Sequence, residues 1–424
     1  MTDAANPVEA VDLQPSTRDT MTPYQERAAE STSATRSTFL PFHRPWIDEA
    51  EIAEVVDTLR SGWLTMGPKT LQFEEQFATY VGARFAVALN SCTSALHLAL
   101  DAIGIKPGDE VITSDYTFTG TAAVVVHLGA RPVLVDIQAN NLTMDPAEVA
   151  AKITPRTRAI VPVHVTGIPC DMDPLLELAA RHDLRIVEDA AHALPTQYKD
   201  RVIGSIGDMT AFSFYATKNI TTGEGGMITT DSEEYNDRLR VRRLHGISRD
   251  AWKRYTSEGS WYYEVEYPGY KYNPTDINSA LGLQQLRRSD RFHAIRSYYA
   301  SLYQLGLSDV PEISLPEPVP WGSHAWHLYV IQLNVDQLAI DRDAFMRCLR
   351  EENIGASVHF IPLHLQPYYR ETFGYRPTDF PNALHAYKRA VSLPLYPRMS
   401  EADVWDVIRA VRRIVDRHRA RRQA

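Results

Sequence analysis

The chain has 424 residues, 44% of them hydrophobic and 23% charged, with a formal net charge of −9. That length exceeds one compact core and points to two or three domains. The acidic balance disfavours a general nucleic-acid binder, which needs a basic surface to displace counterions from phosphate, but leaves room for a local basic pocket. Three cysteines, Cys92, Cys170 and Cys348, give neither a disulfide framework nor paired metal-ligand spacing, so no metal and a reducing, cytoplasmic setting are expected. No apolar run reaches the roughly eighteen residues of a membrane span, and the first residues lack the basic-then-apolar order of a signal peptide.

Residues 1–38 are rich in Ala, Thr, Ser and acids with little apolar periodicity, and read as a disordered extension. Next, WIDEAEIAEVVDTLRSG carries Ile47, Ile52, Val55, Val56 and Leu59 near helical spacing, and KTLQFEEQFATYVG is a second helix. A strand–turn–helix theme then repeats: FAVALN leads to TSALHLALDAIG, and DEVITSD to TFTGTAAVVVHLG. RPVLVDI, RAIVPVHV and LRIVEDA follow as further strands. This alternation predicts an α/β fold with a mostly parallel sheet covered on both faces, whose ligands sit at the carboxyl ends of the strands. After Leu286 a long helical segment (LRRSDRFHAIRSYYASLYQLG), the connector LPEPVPWG, a strand (WHLYVIQL), a helix (RDAFMRCLREENI), a strand (ASVHFIPL) and a final helix predict a smaller α+β domain. The expected division is 39–290 for the large domain and 291–424 for the small one.

The strand ends hold the chemistry. RIVEDAAH closes an apolar run with Glu188 and Asp189, and DMTAFSFYATKN presents Ser213 and Lys218 before the glycine-rich TTGEGGM. An amine and a carboxylate on neighbouring strand ends suit pyridoxal phosphate: the amine forms an imine with the aldehyde, and the carboxylate keeps the pyridine nitrogen protonated. In NSCTSALHLAL, Ser91, Thr93 and Ser94 stand where a helix begins, a place whose free N–H groups and dipole favour phosphate. Phe118 is placed to stack on one ring face, and the small Ala191 to permit close approach on the other. Each feature alone has a blander reading as a solvated lysine, a buried turn carboxylate, an ordinary N-cap or a core aromatic. The weight lies in their order together.

With these residues in hand, the chain resembles the DegT-type sugar aminotransferases, fold-type I pyridoxal-phosphate enzymes of the aspartate aminotransferase superfamily. The likeness runs from about Phe39 to His418 through SGWLTMGPKTLQFEEQFA, NSCTSALHLAL, GDEVITSDYTF, EDAAH, FSFYATKNITTGEGGMI, GYKYNPTDINSALGLQQL, WHLYVIQL, SVHFIPLH and SLPLYP. The resemblance implies Lys218 as Schiff-base lysine and proton shuttle, and Asp189 on the pyridine nitrogen. It also implies Thr93, Ser94 and Ser213 on the phosphate, Phe118 on the ring, and His192, where many relatives carry Gln, near the ring hydroxyl. It implies a homodimer in which the GYKYNP segment enters the partner's site, with Asn273 or Lys271 reaching the phosphate there. The implied reaction transfers the amino group of L-glutamate to a nucleotide-linked keto sugar; GWLTMGPK and SVHFIPLH look like members that act at C4.

The alternatives are amination at C3, a non-catalytic regulator on the same fold, and a dehydrating class with His in place of the lysine, which Lys218 opposes. A cysteine desulfurase would need a mobile cysteine, whereas Cys348 falls on the apolar stripe with Phe345 and Leu349. The basic tail RRIVDRHRARR reads as the solvated face of a terminal helix.

Overall fold

The computed structural model describes residues 35–247 and 263–420. Two helices open the described chain. The first, α1 (Glu49–Ser61), is capped by Asp48, whose side chain and that of Glu51 close a reciprocal capping box, and it ends at Gly62 with φ 74°. The second, α2 (Pro68–Val81), starts on a proline, whose missing N–H costs nothing in a first turn. The expected apolar stripe of α1 does not face the core. Ile52 and Leu59 are about half exposed, while Glu51 and Thr58 are buried. The Glu51 carboxylate is held by the Arg288 guanidinium and the Gln285 amide, so an ion pair replaces the apolar contact that periodicity predicts.

The large domain is built on strands β1 (Phe85–Leu89), β2 (Glu110–Ser114), β3 (Arg131–Val135), β4 (Thr157–Val161), β5 (Arg185–Asp189), β8 (Met209–Ser213) and β9 (Gly226–Thr230), with a small hairpin β6 (Gln197–Tyr198) and β7 (Arg201–Val202) between. The sheet order is β1-β9-β8-β5-β4-β2-β3; β9 alone runs antiparallel to its neighbours. Helices α3 (Cys92–Ala102) and α4 (Thr119–His127) follow β1 and β2. Side-chain alternation supplies two cores. Ile112, Ile160, Ile186 and Phe212 pack on one face, and Val111, Val161, Val187 and Ala211 on the other. Each such buried side chain contributes about 1.5–3 kcal/mol. The mostly parallel sheet covered on both faces is as the sequence predicts.

The remainder carries a three-stranded antiparallel sheet, β10 (Ile313–Ser314), β11 (Tyr329–Leu333) and β12 (Ala390–Leu393), against its own core. The single long helix expected from Leu286 is two, Asp276–Arg287 and Ser289–Leu307, broken at Arg288 with φ −105° and ψ 3°. Arg288 turns there to pair with Asp48 and Glu51. The strand expected at ASVHFIPL does not form: Ser357 makes one isolated bridge to Ser392, and the rest is irregular. His359 and Phe360, beyond that bridge, line a cavity.

Of the expected N-terminal extension, residues 1–34 lie outside the described residues. Thr35 and Arg36 bond to Glu352, Asp403 and Asp406. The described part of the basic tail closes the helix Glu401–His418 and its cap Arg419; Arg412, Arg413 and Arg419 pair with Asp309, Glu352 and Glu312. Cys348 lies on the helix Arg342–Glu351 with Sγ 3.8 Å from His418 Nε2, away from the cavity. Among the described residues no group of acids, cysteines and histidines could hold a metal ion, and no helix is long and apolar enough to cross a membrane.

Candidate active site

A cavity of about 360 Å³ opens at the carboxyl edge of the sheet. The ends of β5 and β8 bring Asp189 and Lys218 to it, the loop after β1 brings Ser91, Cys92 and Thr93, and the turn before α4 brings Phe118. His192 and Ser213 line it as well. Ser94 and Asn273 do not. The Ser94 hydroxyl donates to Asn90 Oδ1 at 2.6 Å, and Asn273 donates only to the Pro274 carbonyl, its Oδ1 buried without a partner. Lys271 is exposed on the same segment.

Strand alternation separates the two neighbouring acids. Glu188 points with Ile186 to one face, where it accepts from Gly207 N–H, the Thr210 hydroxyl and His164 Nε2 at 2.8, 2.8 and 3.0 Å. His164 Nδ1 accepts the Cys170 N–H at 3.0 Å, which leaves the ring proton on Nε2 for Glu188. That set is internally satisfied. Asp189 points the other way, into the cavity, and accepts from the Thr121 hydroxyl at 2.8 Å and the Ala191 N–H at 3.1 Å. Burial raises its carboxyl above the usual range, against the pull of Thr121, Ala191 and Lys218. Burial likewise depresses Lys218, to about 8, with Cys92 and Asp189 opposing that fall. The two groups thus act on each other across one cavity, where a neutral amine is accessible near physiological pH.

Sequence reading missed three polar groups in the same wall. Thr121 lies in the first turn of α4, and His327 and His359 come from the C-terminal third of the chain. The histidine tautomers follow from their partners. His192 Nδ1 accepts the Thr166 N–H at 3.2 Å, so its Nε2 carries the proton. Asn219 donates through Nδ2 to the Leu194 and Ala325 carbonyls, so its Oδ1 accepts from His327 Nδ1–H at 3.0 Å and His327 Nε2 is a free acceptor. Both rings are neutral, because burial first and Lys218 among the neighbouring charges push them well below the usual range. The signal for His327 and His359 was present in WHLYVIQL and SVHFIPLH; nothing in a single sequence separates such histidines from core ones.

These residues fit pyridoxal phosphate. An amine and a carboxylate share the cavity, an aromatic ring flanks it, and α3 begins on its wall with Ser91 as N-cap. Room for the loop is fixed by Gly226, where a Cβ would fall 2.4 Å from the Ser91 carbonyl carbon.

Comparison with known proteins agrees. The DegT/DnrJ/EryC1/StrS aminotransferase family model matches residues 45–412. The spore coat polysaccharide biosynthesis protein SpsC of Bacillus subtilis is 56% identical over 381 residues, 90% of this chain and 98% of the relative. A putative sugar aminotransferase, Spr1654 from Streptococcus pneumoniae, solved in its PLP form, superposes with a TM-score of 0.84 at 35% identity, covering 89% of this chain and 99% of that one. DesV of S. venezuelae, solved with a ketimine intermediate, gives 0.79 at 35% identity over 88% and 98% of the two chains. The chain belongs to the DegT/DnrJ/EryC1/StrS aminotransferase family, whose cofactor is pyridoxal phosphate.

Proposed function

We propose that this sugar aminotransferase converts a nucleotide-linked 4-keto sugar to the 4-amino sugar, with L-glutamate as amino donor. The observation that carries the reading is the convergence of Lys218 and Asp189 on one cavity. When bound, the cofactor supplies an electron sink for the carbanion formed at the donor or sugar carbon.

The chain does the rest. Lys218 would hold the cofactor through its amine and, when free, would be the base that moves the proton; its depressed pKa leaves part of the amine neutral for that work. Asp189, held by Thr121 and Ala191, would pair with the pyridine nitrogen. His192 Nε2–H would donate toward the ring hydroxyl, and His327 Nε2 would accept from the incoming sugar or amine. Thr93 and Ser213 would hold the phosphate with the first N–H groups of α3, and Phe118 would cover the ring. The preference for C4 rests on GWLTMGPK at 62–69 and on SVHFIPLH.

The working unit is a cytoplasmic homodimer with shared sites. Ile52 and Leu59 on the first helix, Leu71 on the second and Leu64 between them are exposed apolar side chains that a second copy would cover. Asn273 and Lys271, which do not line their own cavity, would then serve the partner's phosphate. The test is product identification after incubation with glutamate and a panel of nucleotide-linked 4-keto and 3-keto sugars. A 4-amino product is expected; amination of 3-keto sugars alone overturns the assignment.

A further inference from the structure

Residues 358–362 belong to no helix or strand, and Ile361 among them is exposed, yet His359 and Phe360 line the cavity. One end of this segment is tied to β12. The Ser357 and Ser392 main chains exchange hydrogen bonds at 3.1 and 2.8 Å, and His359 Nδ1 lies 2.9 Å from Ser392 Oγ. The other end is tied to the residues that follow β2.

Asp115 and His364 make that second tie, and both side chains are fully buried. Asp115 Oδ2 lies 2.6 Å from His364 Nδ1, and its Oδ1 accepts the His364 N–H at 2.8 Å. The Asp115 carbonyl accepts the Leu363 N–H at 3.0 Å, and the Tyr116 hydroxyl donates to the His359 carbonyl at 2.7 Å. His364 Nε2 donates to the Pro377 carbonyl at 3.2 Å, so every polar side-chain atom of the pair is bonded. The Asp115 N–H donates to the Val135 carbonyl of β3 at 2.9 Å, which anchors the clasp in the sheet. Apolar side chains of similar size could stabilise such a joint as well. A fully satisfied set of directional bonds adds one fixed placement for the segment between the ties.

That placement seats Phe360. Its ring centroid lies 5.7 Å from that of His192, with 18° between the planes, and 6.3 Å from that of Phe118. We propose that Asp115, Tyr116 and His364 are positioning residues which, through Phe360, set His192 and Phe118 and thereby the orientation in which the cofactor ring is held. The inference rests on the cofactor contacts proposed above for His192 and Phe118.

Visible circular dichroism of the bound cofactor in the holoenzyme reports ring orientation, equilibrium dialysis reports its retention, and urea unfolding reports stability separately. Asp115→Ala is expected to change the dichroism and to weaken retention about two- to tenfold, within the span of coupling inside one contact network. Asp115→Asn is expected to restore both, because the amide oxygen still accepts the His364 N–H, its NH2 donates to Nδ1, and Nε2–H stays on the Pro377 carbonyl. Tyr116→Phe removes one hydroxyl and leaves the buried pair intact; it is expected to move both readouts the same way, and decides the matter if Asp115→Ala does not fold. Phe360→Leu is expected to reproduce the change. The clasp is refuted if Asp115→Ala or Tyr116→Phe lowers stability while dichroism and retention keep their parent values, or if Asp115→Asn fails to restore them. If His192→Ala and Phe360→Leu both leave the dichroism unchanged, the underlying cofactor contacts are what fail, and the proposal falls with them.

Discussion

The Lys218 amine can be titrated through the rate at which it captures its cofactor. Bond formation with the aldehyde needs the neutral amine. With its pKa depressed to about 8 by burial, about a tenth of the amine is neutral at pH 7 and about nine-tenths at pH 9. Reconstitution of the cofactor-free protein with pyridoxal phosphate is therefore expected to accelerate about tenfold over that interval and then level off. An ordinary lysine, near 10.4, would gain about a hundredfold and keep rising. Stopped-flow absorbance of the nascent imine measures the rate. Asp189→Asn supplies the second arm: the carboxylate favours the charged amine, so its removal moves the bend to lower pH. A log-linear rise through pH 9 with no bend, or a bend that Asp189→Asn leaves in place, refutes the argument.

Other substitutions bear on the same chain. Lys218→Ala is expected to abolish turnover and the imine absorbance together; retention of both removes the central assignment. Thr121→Val deletes a donor to a buried carboxylate at 2.8 Å, and loss of such a charge-assisted bond, about 1.5–3 kcal/mol, weakens cofactor retention about ten- to a hundredfold by equilibrium dialysis. An unchanged dissociation constant contradicts it. Away from the site, Glu74 is 3% exposed and accepts from Arg243, from Arg240 at 2.9 Å and from the Ala88 N–H, joining α2 to β1 and to the helix Glu233–Arg242. Glu74→Gln leaves two guanidinium groups facing each other and is expected to cost about 3–5 kcal/mol in urea unfolding. Burial opposes its ionisation, but Arg243 and Arg240 hold its carboxyl below the usual range, so this stability is present above the ordinary carboxylate pKa and is lost only as pH falls through the depressed one.

The order of most strands and helices, the amine at 218, an acid pair at 188 and 189 and the helix start at Ser91 were legible from residue order, because hydrophobic period, turn chemistry and helix capping are local. Other features depended on contacts between distant segments. The choice of Asp189 over Glu188 as the cavity carboxylate follows from which strand face meets which layer, since alternation sends neighbours apart and only packing says which way is in. The exposed stripe of α1 and the break at Arg288 have one cause, an arginine that reaches from the later helix to two acids of the first. The failed strand at 356–363 and the arrival of His327 and His359 beside Lys218 were decided by how the C-terminal third packs against the strand ends. Sequence determined which chemical groups were available and roughly where along the chain they stood. Tertiary structure decided which of them share a cavity and in what protonation state, because burial and hydrogen-bond partners exist only once the layers have closed.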